Sequence, residues 1–250
     1  MGTSQSSKGP SSNVSLVPHW ADDEPQKPLP APIPGRFRQF RHSMTKYAKT
    51  GDKEQLKTAL GHYARTSTGG ATVAVRRFGN VIKAGSSLLG LLSNGQTQPN
   101  EPNLNLEQLS GKTIEEAVSI IANTLTPING DGERIRISIN NALIESLDGV
   151  TNIDLSIMTN DILSSILINY ITENIFLDIL LNSGNSFNNT KTLSEEIKME
   201  NTLCELIKVL TDTKFAKNIN GDIRTIPLSQ INQLQRQVII EVWQEWENYH

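Results

Sequence analysis

The clearest nucleophile in this sequence belongs to the main chain. The sequence begins Met1-Gly2-Thr3-Ser4, and removal of Met1 is expected because the second residue is small. Gly2 then carries a free α-amine whose pKa near 7.7–8.0 leaves roughly a tenth of it neutral at pH 7. Glycine has no Cβ and can enter a narrow tunnel, while Thr3, Ser4, Ser6 and Ser7 add donors and acceptors without bulk. The chemistry this permits is acylation of the amine by another protein. The same residues fit the loose myristoylation pattern, which many unrelated sequences match, and an ordinary chain start is the bland alternative.

A second group is cationic. Arg36, Arg38, Arg41, Arg76 and Arg77, interleaved with Phe37, Phe40 and Phe78, offer phosphate contacts and stacking faces for a nucleic acid. Against this, the aromatics fall at core-like helical spacing. Residues 36–86 hold eleven Lys or Arg against two acidic residues, a net of +9, whereas 101–250 hold ten against twenty-one, a net of −11. The two segments can attract one another or each select its own partner.

Elsewhere the inventory argues against catalysis. His19, His42, His62 and His250 have no metal-site spacing with each other or with Cys204, so neither metal nor cofactor is expected. Cys204, between Leu203 and Leu206 on an expected helix, reads as a buried small hydrophobe. Asn129-Gly-Asp-Gly-Glu133 has the wrong ligand spacing for a calcium loop. A lone cysteine excludes an internal disulfide. No signal peptide is recognisable, and the apolar stretch 153–181 is interrupted by Asp161, Asn169, Glu173 and Asp178, as in a core helix rather than a membrane span. The expectation is a non-catalytic cytoplasmic protein.

The elements that must position these groups are expected to be helices. Residues 1–35, rich in Ser and Gly and then in Pro, have the composition of a disordered tail with a stiff Pro-rich spacer. Residues 36–93 read as basic, glycine-broken helices: one with Phe37, Phe40, Met44 and Tyr47 on a stripe, a stop–start at Thr50-Gly51-Asp52, a second running to Gly69-Gly70, and a third from about Ala71 to Leu92. Gly79, Gly85 and Gly90 in the third indicate flexibility or close helix approach. Residues 94–104 read as a linker and 105–250 as an acidic helical bundle. Within the bundle, Thr113 with Glu116 and Thr192 with Glu195 are expected capping boxes, and Pro227 stands at a first helical turn. Arg134 to Ile139 alternates in a way that also suits a short strand. The fold class is all-α.

Several motifs, taken together and in order, resemble a known family. MGTSQSSKGP, Leu16-Val17-Pro18 with Trp20, PGRF at Pro34–Phe37, TGD at Thr50–Asp52, LGHYARTSTGG, and RRFG ending at Gly79 are similar to the QatB family of the bacterial Qat anti-phage defence system. The likeness covers roughly residues 1–90; beyond them the chain is similar only in being helical. The resemblance implies a cytosolic system whose other members are an ATPase (QatA-like), a QueC-like enzyme (QatC-like) and a TatD-like nuclease (QatD-like). It further implies that the QueC-like partner activates the carboxylate of a 7-deazaguanine with ATP and transfers the acyl group to the α-amine of Gly2. Thr3 and Ser4 would then be read as extended substrate in that partner's active site. The alternative is a nucleic-acid-binding scaffold using segment 36–86.

Overall fold

The computed structural model describes residues 9–11, 14–97, 102–150, 153–190 and 192–250. Among them lie nine α-helices and no strand, only an isolated antiparallel bridge between Gln96 and Asn105.

Punctuation residues set the helix limits. The first helix, α1 (Arg38–Thr50), stops where Gly51 turns left-handed at φ 69° and returns its N–H to Tyr47, a conformation that costs glycine little. Asp52 caps α2 (Lys53–His62) by accepting the N–H of Glu54. The next turn, Tyr63–Ser67, widens into π-helix before α3 (Ala71–Arg77).

The single helix expected over 71–92 is broken. Phe78 leaves helical geometry, its N–H reaching Val75 O at 3.0 Å, and α4 (Gly79–Asn94) starts anew. The Phe78 ring is fully buried and meets Trp243 edge-on at 5.3 Å, so side-chain packing accompanies the break.

The later helices are α5 (Ile114–Leu125), α6 (Gly132–Ser146), α7 (Asn160–Ser183), α8 (Leu193–Asn218) and α9 (Leu228–Glu247). The Thr113–Glu116 capping box is present in both directions, and the Thr192 hydroxyl accepts the N–H of Glu195. Pro227 stands just before α9, its carbonyl taking the N–H of Gln230 and Ile231. Arg134 to Ile139 is helical, part of α6.

Two compact units divide the chain. One comprises 1–78, 175–210 and 239–250, the other 79–174 and 211–238. In the first, Phe40, Met44, Tyr47, Leu56, Leu60, Tyr63, Trp243 and Trp246 are at most 1% exposed. In the second, Val118, Ile121, Ile135, Ile139, Leu143, Leu163 and Val238 form the interior. There Tyr170 is buried on α7 with its hydroxyl donated to Val81 O at 2.8 Å, and burial pushes its pKa far up. The stretch Asn160–Asn189 is long and apolar enough to cross a membrane, but 61% of its most apolar window is buried within the protein, the pattern of a core helix.

Candidate functional site

Residues 14–35 include the Pro-rich stretch. They form no regular helix or strand, yet they lie as a strap against the first unit. Val17 and Ala21, each 2% exposed, pack on Val73 with Leu16 and Leu29 beside them. This small apolar contact is reinforced by three arginines, all from the set read as nucleic-acid ligands.

Arg76 on α3 clamps Asp22 bidentately, Nε to Oδ1 at 2.9 Å and Nη2 to Oδ2 at 2.7 Å. The same Nη2 donates to the carbonyls of Glu24 and Lys27, at 3.0 and 2.8 Å. Both side chains of the pair are over 90% buried. The hydrogen bond from Arg76 holds the Asp22 carboxyl below its usual range, and the same bond raises the Arg76 pKa. Paired and hydrogen-bonded in this way, the two charges tolerate burial that neither would tolerate alone.

Further upstream, Arg36 is 4% exposed and donates Nη2 to Ser15 O at 3.2 Å. Arg41 on α1 donates Nη2 to Pro10 O at 2.9 Å and Nε to Asn182 O at 2.9 Å. The guanidinium carbons of Arg36 and Arg41 stand 4.8 and 4.9 Å from the centre of the Phe37 ring. Gly9, with φ at +67°, sits so close that a Cβ would lie 2.6 Å from Arg41 Nη2 and 3.0 Å from Leu181 O. Only glycine fits there. The strap therefore begins at a defined root, Gly9-Pro10 on Arg41.

Of the remaining arginines, Arg77 faces Asp178 at 3.7 Å. Asp178 also accepts the Tyr63 hydroxyl, to which Asn182 donates at 3.0 Å. Arg38 alone among the five is exposed. Phe37, Phe40 and Phe78 are 4%, 0% and 0% exposed, so their rings belong to the core and offer no stacking face. The set Arg36, Arg38, Arg41, Arg76 and Arg77 is thus spent mostly inside the protein. Gly2, Thr3 and Ser4 lie outside the described residues.

Other candidates resolve as structure. Asp131 of the Asn129–Glu133 loop binds Arg134 and Asn80, each at 3.1 Å. Cys204 is half-buried, less than expected, because Leu203 and Ile207 take the inner face of α8. No group of three or more metal-type ligands occurs among the described residues. A depression of about 950 Å³ in the second unit is lined by Asn94, Gln96, Asn105, Glu107, Ser110 and Asp154 among others, with no histidine or cysteine in the lining.

Against known proteins, no curated protein and no solved structure matches the chain. A family model does, the Qat anti-phage system associated protein QatB, over residues 69–246. The chain belongs to the QatB family. It is accordingly a component associated with the Qat anti-phage system. The extent of the match corrects the sequence reading, which placed the likeness in residues 1–90: the helical body carries the QatB relationship. Arg76 and Arg77 fall within the matched span, whereas Gly2, Arg36, Arg38 and Arg41 precede it.

Among the strap's anchors, Asp22 is the residue that motif reading missed. The one available signal was Asp22-Asp23-Glu24, the only acidic residues before Asp52, set in a Pro-rich stretch ahead of a strongly basic segment.

Proposed function

We propose that this QatB-family chain is a non-catalytic, cytoplasmic adaptor and protein substrate. In this reading the α-amine of Gly2 accepts the acyl group of a 7-deazaguanine from the system's QueC-like partner, with Thr3 and Ser4 held in that partner's cleft. The neutral amine attacks the activated carbonyl. An amide bond forms, the activating group leaves, and the amine surrenders its proton.

The observation that carries the reading is the root of the strap. Residues 9–11 and 14–27 are tied to the first unit by Arg41, Arg36 and Arg76, many bonds for an otherwise irregular segment. Gly2 lies seven residues upstream of that root. A substrate terminus needs such an origin: the body supplies docking affinity, and the tether gives the terminus a high effective concentration at the partner's active site. The QatA-like ATPase and QatD-like nuclease would act on or with the conjugated form.

The nucleic-acid scaffold reading has less support, since four of its five arginines are engaged within the chain. The deciding experiment is co-expression with the QueC-like enzyme, with and without its active site, followed by intact mass analysis. Gain of one deazaguanine acyl group on Gly2, abolished by Gly2→Trp, is the expected result. Unchanged mass with an active partner and its substrates would overturn the proposal.

A further inference from the structure

The tether is short. From Gly2 to Gly9 there are seven residue steps, which span at most about 25 Å when fully extended. A cleft that swallows the first few residues uses up roughly 10 Å of that. The rim of the cleft must then come to rest within about 15 Å of Arg41, to which the root is bonded.

Leu181 is exposed on one side of the root, and the cationic surface there is the outer face of α1. Arg38, His42, Lys46 and Lys49 are exposed at spacings of four, four and three residues, one helical stripe running about 16 Å. Helix α1 contains no acidic residue at all. Among the described residues, none of the four makes an ion pair, in contrast to Arg36, Arg41 and Arg76 nearby, which are consumed by the strap. A shallow depression of about 460 Å³, lined by Gly35, Phe37, Arg38, Arg41, His42 and Thr45, opens at the upper end of the stripe, next to the root.

From this we infer that the Arg38–His42–Lys46–Lys49 face of α1 is the docking surface for the enzyme that acts on Gly2, and that the rim of that enzyme's cleft is acidic. The inference rests on the reading of Gly2 as an acceptor. It adds where the partner sits and what charge it presents. The like charges of Arg38, Lys46 and Lys49 on one face repel one another, and an acidic rim relieves that repulsion while steering encounter. A nucleic acid is the poorer occupant, because the neighbouring aromatic rings are buried and the row is confined to one helix.

The test measures binding and modification separately, using the full chain and the purified QueC-like enzyme. The triple variant Arg38→Glu, Lys46→Glu and Lys49→Glu should bind about a hundredfold more weakly, with a flattened salt dependence. The neutral variant, with Gln at the same three positions, should fall between. The same change in charge at Lys83, Lys112 and Lys217, all in the second unit, should leave affinity within about threefold, since charges outside a contact matter little. Gly2→Trp should lose the mass shift. Wild-type affinity in the α1 triple variant would overturn the inference, as would α1-dependent binding of a single-stranded DNA 20-mer combined with α1-independent binding of the enzyme. If charge reversal abolishes binding but the wild-type mass never shifts, the docking surface stands and the acceptor reading of Gly2 fails.

Discussion

Arg76 and Asp22 are joined by two hydrogen bonds of 2.9 and 2.7 Å across 54 positions of sequence, with both side chains shielded from water. This pair fastens an irregular, proline-rich strap to a helical body. It also removes from the surface an arginine that composition alone would assign to a polyanion.

Breaking the pair should be expensive. Asp22→Ala leaves the Arg76 guanidinium buried with only the carbonyls of Glu24 and Lys27 as partners, and losing one member of a buried pair costs about 3–5 kcal/mol. Urea denaturation should show a loss of that order. Cleavage between Trp20 and Ala21 by chymotrypsin should become faster in the variant than in wild type, because Ala21 is buried while the strap is held.

The strap's attachment should be acid-labile, and the direction follows from the depressed Asp22 pKa. The folded value lies below the ordinary carboxyl value because Arg76 stabilises the charged form. Its contribution is therefore fully present above the unfolded pKa, about 3.9, and is lost as pH falls through the folded value. Stability measured from pH 6 downward should drop further in wild type than in Asp22→Asn, which has no carboxylate to protonate.

In the second unit, Gly85 is a packing residue. A Cβ there would lie 2.2 Å from Gln235 Oε1 and 2.7 Å from Cε1 of the Tyr170 ring. Neither neighbour can yield easily. Gln235 Nε2 donates to Ile82 O and Ser86 Oγ at 3.0 and 2.9 Å, and the Tyr170 hydroxyl is bonded to Val81 O. Gly85→Ala gains about 1 kcal/mol of helix propensity but forces overpacking worth about 1–3 kcal/mol. A lowered denaturation midpoint is expected.

Thr113→Ala should cost about 1 kcal/mol through loss of the α5 cap. Here the hydroxyl accepts the Glu116 N–H at 3.2 Å and the Glu116 carboxylate accepts the Thr113 N–H at 3.1 Å. Thermal denaturation of the single variant measures it directly.

The helical class was legible because it rests on local patterns. Phe40, Met44 and Tyr47 show their spacing in the sequence and are buried as that spacing implies. Gly51 and Asp52 announce a cap and form one. The break at Phe78 was illegible, since it goes with a ring packed on Trp243, 165 positions away. The strap was illegible for a similar reason. Composition weighs the entropy of ordering residues 14–35 against their own apolar content, and cannot count the hydrogen bonds that Arg36, Arg41 and Arg76 bring from other elements. The same omission made those arginines look like an electrostatic surface. Discontinuous units have no compositional mark either, because each draws on segments far apart in the chain.

The central claim concerns the amine of Gly2, and intact mass spectrometry addresses it most directly. Protein purified after co-expression with the active QueC-like partner should be heavier by one deazaguanine acyl group, with fragmentation placing the addition on Gly2. Protein from cells carrying the inactivated partner should lack the addition. Identical masses from the two preparations, with the partner's activity verified, would contradict the account.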